Sequence, residues 1–153
     1  MSLTAIRTIL AEHTNAPVVF KRNTVKEYLH MRALAFVYGS EQYRHLIFYC
    51  GSCLRHCYNL PRLSEDLDFV DVKYIEVADL GNELARFFER DMGIAPIVKI
   101  QKFRAYLKFP ILHDLELGKE DESNLLFIKV EVFNQFTCED YKTEVIPLFK
   151  FDT

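Results

Sequence analysis

The stretch Cys50-Gly51-Ser52-Cys53-Leu54-Arg55, followed by Pro61-Arg62-Leu63-Ser64-Glu65-Asp66-Leu67-Asp68-Phe69, decides the reading of this chain. A short apolar run at residues 44–50 leads into Gly51-Ser52, and residues 53–58 then read as a helical turn or two, giving strand, tight turn and helix. From residue 66 to 71 the pattern alternates, with Leu67 and Phe69 on one side and Asp66, Asp68 and Val70 on the other. Two aspartates separated by one strand residue project from the same face, so Asp66 and Asp68 can converge on one cation. Hard divalent ions such as Mg²⁺ take carboxylate oxygens and keep water and substrate phosphate as their remaining ligands. Gly51-Ser52 stands where a strand ends and a helix starts, and there free amides and the positive end of the helix dipole favour phosphate. Glycine permits close backbone approach and serine adds a hydroxyl. A phosphate cradle beside a metal site is the hardware of phosphoryl transfer.

A third carboxylate would complete such a site, and Glu131 is the candidate. In the strand predicted at residues 125–134, Leu126, Ile128, Val130 and Val132 form one apolar face, while Lys129 and Glu131 share the other with Phe127. Two readings stand here: Glu131 joins the aspartates and helps to hold a metal that activates an attacking hydroxyl, or Lys129 and Glu131 form an exposed ion pair of small energetic consequence. An Asp-x-Asp taken alone also fits a solvent-facing strand edge. Gly51-Ser52 and Arg62-x-Ser64 upstream shift the reading towards a site.

Outward from this segment, residues 4–12 suit a short helix, and Thr24-Val25-Lys26-Glu27 has the form of a capping box for a second helix ending at Gly39. Val25, Leu29, Ala33 and Phe36 give that helix a face to bury. Residues 76–91 carry Val77, Leu80, Leu84 and Phe87 or Phe88 at helical spacing, with Gly93 at the C-terminal cap. Strands are predicted at 97–101, 103–109, 125–134 and 145–151, with an acidic turn at 118–123. The fold class is therefore α+β, or mixed α/β. The second half lacks helices between strands, which favours antiparallel pairing and a mixed, largely antiparallel sheet flanked by helices. Residues 1–153 read as a single domain, with N-terminal helices at about 4–39 and a core at about 44–151.

Composition bounds the rest. The chain has 153 residues, half of them hydrophobic, and its 19 Lys and Arg against 22 Asp and Glu give a formal charge of -3. That composition excludes extended disorder, and the mild acidity excludes the global positive field of a nonspecific nucleic-acid coat. The apolar runs fall far short of the roughly 20 residues that cross a bilayer, and no secretion signal leads the chain. Cys50, Cys53, Cys57 and Cys138 then read as reduced thiols in a cytoplasmic protein. Their spacing matches no zinc pair, Cys53 and Cys57 suit a core-facing helix side, His56 reads as a surface or satisfied histidine, and Arg55 as solvated. At residues 102–108, Lys102, Arg104, Tyr106 and Lys108 share a face, either a solvated outer sheet surface or a stripe for RNA phosphates.

Taken together, these residues resemble the AbiEii/AbiGii-type toxin nucleotidyltransferases of the polymerase-beta-like superfamily. Their Gly-Gly-Thr-Ala-Leu is similar to Cys50-Gly51-Ser52-Cys53-Leu54, their Arg-x-Ser-x-Asp-x-Asp to Arg62-Leu63-Ser64-Glu65-Asp66-Leu67-Asp68, and their later Lys-hydrophobic-acid strand to Lys129-Val130-Glu131. These landmarks run from about residue 48 to 133. The resemblance implies a nucleotidyltransferase-like core in which Asp66 and Asp68 hold Mg²⁺ and the nucleoside triphosphate, and Glu131 completes the catalytic metal site, two ions being admissible. It further implies that Gly51, Ser52 and Ser64 serve the nucleotide, Ser52 at its phosphates. The implied reaction moves a nucleotide monophosphate to an acceptor, with RNA or transfer RNA and an antitoxin protein as partners and toxin–antitoxin function or phage defence as the setting. The chain departs from the family at Cys50, where the first glycine usually sits, and at Thr153, where family members continue into a helical region. Those departures leave a second reading, a noncatalytic domain that keeps the fold and nucleotide binding and acts through a protein partner. A third is an RNA-binding module built on Lys102, Arg104 and Lys108.

Overall fold

A computed structural model describes residues 2–134 and 142–151. Its elements, in chain order, are α1 (Ser2–Ala11), α2 (Val18–Gly39), β1 (Ile47–Tyr49), α3 (Cys50–Tyr58), β2 (Asp66–Val70), α4 (Val77–Met92), β3 (Ile97–Gln101), β4 (Arg104–Pro110) and β5 (Leu125–Phe133). The five strands form one mixed sheet in the order β1-β2-β5-β4-β3. Every neighbouring pair is antiparallel except β2 and β5, which run parallel at the centre. A parallel pair needs a long crossover, and here α4 with the β3–β4 hairpin supplies it.

Strand alternation divides the sheet into two faces. Leu67 and Phe69 of β2, Ile128, Val130 and Val132 of β5, and Ala105, Leu107 and Phe109 of β4 are buried on one of them. Against this face lies α4, whose Val77, Leu80, Leu84, Phe88 and Met92 recur every three or four residues and are all buried. Gly81 lets the helix approach closely, since a Cβ there would lie 2.9 Å from that of Ala105. Gly93 caps α4 in the left-handed conformation and donates its amide to the Glu89 carbonyl, as predicted. Of the face predicted for α2, Val25, Leu29 and Ala33 are buried and Phe36 partly so, but Tyr28, Met31, Leu34 and Val37 are buried as well, so the helix is covered on more than one side, and α1 adds Ile6. The opposite sheet face stays partly open and carries the charged residues.

Two local expectations fail. The capping box at Thr24 does not form: α2 already begins at Val18 behind Pro17, and Thr24 donates its hydroxyl to the Phe20 carbonyl at 3.0 Å inside the helix. Pro17 accounts for the earlier start, because its fixed φ and missing amide suit a helix entrance. Nor is there a strand at 145–151, where residues 142–150 run without regular structure. Pro147 removes a ladder donor within that run. The segment is tied down by side chains instead: Leu148 and Phe151 pack on the core, and Lys150 pairs with Glu27 of α2 at 2.5 Å. Cys138 lies outside the described residues. No described helix is long and apolar enough to cross a membrane.

Candidate active site

The register brings the three acids into one row. β2 and β5 lie side by side with Asp66 opposite Lys129 and Asp68 opposite Glu131, and β4 continues the row with Arg104 opposite Glu131. On the other flank β1 sets Tyr49 opposite Asp68. Strand parity turns all of these side chains to the open face while Leu67 and Val130 turn to the core. The adjacency that Glu131 needed is therefore present.

Burial and mutual repulsion control this cluster. Glu131 is only 8% exposed and accepts from Lys129 Nζ at 2.9 Å and from Arg104 Nε at 3.2 Å. Lys129 Nζ also lies 2.9 Å from Asp66 Oδ2, so one ammonium bridges the two carboxylates. Its pKa is raised: burial opposes the charge, and the hydrogen bonds to Asp66 and Glu131 outweigh it. Among the described residues Asp68 forms no ion pair of its own, and the charge of Lys129 offsets its environment only in part. Burial, then the charges of Glu131 and Asp66, push its pKa up to about 6.

The donor chemistry fits a hard divalent ion, because three carboxylates brought into one row supply the oxygen ligands that a compact positive charge takes. As the side chains stand, no three His, Cys, Asp or Glu among the described residues share an ion-sized position. Lys129 is what lies between Asp66 and Glu131. Were Mg²⁺ to bind, Asp66, Asp68 and Glu131 are the side chains that would hold it.

Beside the acids, β1 runs straight into α3. Cys50 makes the turn with φ at 63°, and Gly51 follows with its Cα facing Ser64, whose Oγ would meet a Cβ there at 3.3 Å. Ser52, read from the sequence as a phosphate ligand through its hydroxyl, is fully buried. Its Oγ donates to the Asp66 carbonyl and lies 2.8 Å from Ser64 Oγ. This hydroxyl joins the start of α3 to the start of β2, and Ser64 takes part in the same lock, so the first amides of α3 remain as the groups suited to phosphate. Arg62 is exposed.

Other assignments change with the structure. Arg55 is not solvated: it pairs with the buried Glu27 at 2.6 Å and donates to the Leu60 carbonyl. Burial opposes ionisation of Glu27, yet the bonds from Arg55 and Lys150 hold its pKa below the ordinary value. His56 is neither a surface nor a satisfied histidine, since both ring nitrogens are buried without a hydrogen-bond partner among the described residues. It borders a cavity of about 290 Å³ with Met31, Arg55, Asn59 and Lys150. Its ring stands 5.8 Å from that of His30, a fully buried residue whose Nε2 lies 3.2 Å from the Glu65 carbonyl. Cys50, Cys53 and Cys57 are free thiols, and burial raises the pKa of the partly buried Cys53 and Cys57.

Arg104 leaves the basic stripe by pairing with Glu131, while Lys99 and Phe127 extend it. Lys99, Gln101, Tyr106, Lys108, Ser123 and Phe127 line an open groove of about 370 Å³ on the acid-bearing face. Tyr106 and Phe127 meet edge to face, with ring centroids 6.0 Å apart. Among the described residues, Lys99 and Lys108 have no acidic partner. The alternation of β3 carried the signal for Lys99, which shares a phase with Gln101 and a register position with Tyr106.

No protein-family model and no curated protein sequence matches the chain. Among solved structures it is similar to MenT4, a nucleotidyltransferase toxin from Mycobacterium tuberculosis H37Rv, with a TM-score of 0.54 and 15% identity. The match covers 93% of this chain and 52% of that one, so the chain spans about half the length of this neighbour. The likeness is one of fold, and the fold of this chain is nucleotidyltransferase-like.

Proposed function

We propose that the protein is a Mg²⁺-dependent nucleotidyltransferase of the AbiEii/AbiGii toxin kind, transferring a nucleotide monophosphate from a nucleoside triphosphate to an RNA acceptor. The observation that carries this reading is the row Asp66, Asp68 and Glu131 on two parallel central strands, beside the first turn of α3. In the reaction an acceptor hydroxyl oxygen bonds to the α-phosphorus, the bond from that phosphorus to the bridging oxygen breaks, and pyrophosphate leaves. The hydroxyl proton passes to a carboxylate. The amides opening α3 hold phosphate, and the Ser52 lock fixes them relative to Asp66. Bound Mg²⁺ would neutralise the phosphate charge and lower the pKa of the attacking hydroxyl.

The groove across β3, β4 and β5 supports RNA as the acceptor. Lysines without acidic partners suit phosphates, and the exposed ring of Phe127 suits an unstacked base. The nucleotidyltransferase-toxin fold of MenT4 supports a toxin role and hence an antitoxin partner. These finer assignments are carried by the sequence resemblance.

The test is calorimetric titration of each nucleoside triphosphate, with and without Mg²⁺, into the parent chain and an Asp66→Ala, Asp68→Ala double variant. Binding that needs Mg²⁺ and vanishes in the double variant is expected. A well-folded parent that binds none of them overturns the reading in favour of a noncatalytic partner-interaction domain.

A further inference from the structure

We propose that Lys129 is a built-in counter-ion that competes with the divalent cation for Asp66 and Glu131, coupling metal binding to the arrival of nucleotide. The proposal rests on the nucleotidyltransferase reading and concerns the regulation of that same site.

The placement of Lys129 follows from the sheet. It stands two residues before Glu131 on β5 and opposite Asp66 on β2, so strand parity delivers its side chain into the space between those two acids. It contacts both at 2.9 Å, with its side chain 20% exposed. Arg104 makes a second contact with Glu131 from β4, while the Lys129 ammonium reaches both acids. Lys129 is therefore the group that ties the two strands' carboxylates together. An ordinary surface ion pair joins one cation to one anion and adds little. This one lies in the position that a shared metal requires, and two cations cannot occupy it together.

The consequence is a linkage. A metal entering alone must displace Lys129 and leave an ammonium without carboxylate partners in a half-buried site. A nucleotide changes that balance, because its phosphates offer the displaced ammonium a new anionic partner beside the α3 turn, which the Ser52 hydroxyl joins to the backbone of Asp66. Nucleotide then raises metal affinity and, by reciprocity, metal raises nucleotide affinity.

The experiment measures Mn²⁺ binding by electron paramagnetic resonance to the parent and to Lys129→Met, each with and without a non-hydrolysable nucleoside triphosphate. Lys129→Met removes the charge and keeps the stem. We expect it to bind Mn²⁺ alone at least about tenfold more tightly than the parent, and nucleotide to raise the metal affinity of the parent far more than that of the variant. A merely structural ion pair predicts no gain, so equal or weaker Mn²⁺ binding by the folded variant overturns the proposal. Lys129→Gln, which keeps a donor without the charge, serves the same comparison should Lys129→Met fail to fold. If neither folded variant binds Mn²⁺, the proposal falls together with the metal site. If the variant gains Mn²⁺ affinity while nucleotide has no effect on either protein, the competition stands and the nucleotide reading falls.

Discussion

Cys50 holds φ at 63° where β1 turns into α3, a left-handed conformation that drives Cβ towards the following carbonyl oxygen. The strain is roughly 1–2 kcal/mol for a residue with a side chain, and glycine escapes it at an entropic cost of about 0.5–1 kcal/mol in the unfolded chain. Cys50 is exposed, so little packing is lost with its thiol. Cys50→Gly is accordingly expected to stabilise the protein by about 0.5–1 kcal/mol, seen as a higher urea midpoint at unchanged slope. A lower midpoint would show that the thiol's contact with Tyr49 outweighs the strain. The sequence alone flagged this position, because the resemblance expects glycine there. It also marked Asp66 and Asp68 as sharing a face, since parity along a strand is a local property, and left Glu131 to depend on which strand lies beside β2. The bridge from Lys129 to Asp66 was not visible, because it depends on which strand lies beside β2 and in what register.

At the scale of elements, the site depends on how α3 is fastened to β2, and Ser52 is the fastening. Its fully buried hydroxyl donates to the Asp66 carbonyl within the loop-to-strand junction. Ser52→Ala leaves that carbonyl without this donor in a buried place, a loss of about 1–3 kcal/mol. The expected outcome is a lowered melting temperature with nucleotide affinity reduced less than about tenfold, since the proposed phosphate contacts are the backbone amides of α3 and not this hydroxyl. A drop in affinity of more than a hundredfold at unchanged stability would return Ser52 to the role of phosphate ligand. A hydroxyl at a helix start faces either a ligand or a neighbouring strand, and only the packing decides. Elements whose signal is local were legible. β2, β3, β4 and β5 match their predicted bounds within a residue or so, as does α4, because two-fold alternation and a 3.6-residue period need no partner to be read. The start of α2 and the absence of a strand at 145–151 were set by Pro17 and Pro147, whose effects outranked a capping pattern and an apolar run.

For the molecule as a whole, the response to pH tests how α2, α3 and the segment at 142–151 are held together. His30 on α2 and His56 on α3 stand ring to ring, with Glu27, Arg55 and Lys150 around them. Burial, followed by the charge of the other histidine, lowers the pKa of His30 to about 3, and burial followed by Lys150 lowers that of His56 to about 4. Both are neutral in the folded state near neutrality, while in the unfolded chain each takes up a proton near pH 6.5. The unfolded state therefore binds more protons as pH falls below about 6.5, and stability declines until the folded pKa is reached. The slope approaches about 1.4 kcal/mol per pH unit for each histidine. Asp68 works in the opposite sense, because a carboxyl raised to about 6 favours the folded state at low pH and loses that contribution as pH rises through 6. A whole-protein profile mixes the two, so the informative quantity is the difference between the parent and His56→Phe, in which Asp68 cancels. That difference should be flat above pH 6.5 and shift steadily in favour of the variant from pH 6.5 to about 4, measured by urea denaturation at one-unit steps. Parallel profiles would mean that His56 is solvated or paired in the folded protein, and would remove the physical basis for treating α2, α3 and Lys150 as one coupled unit.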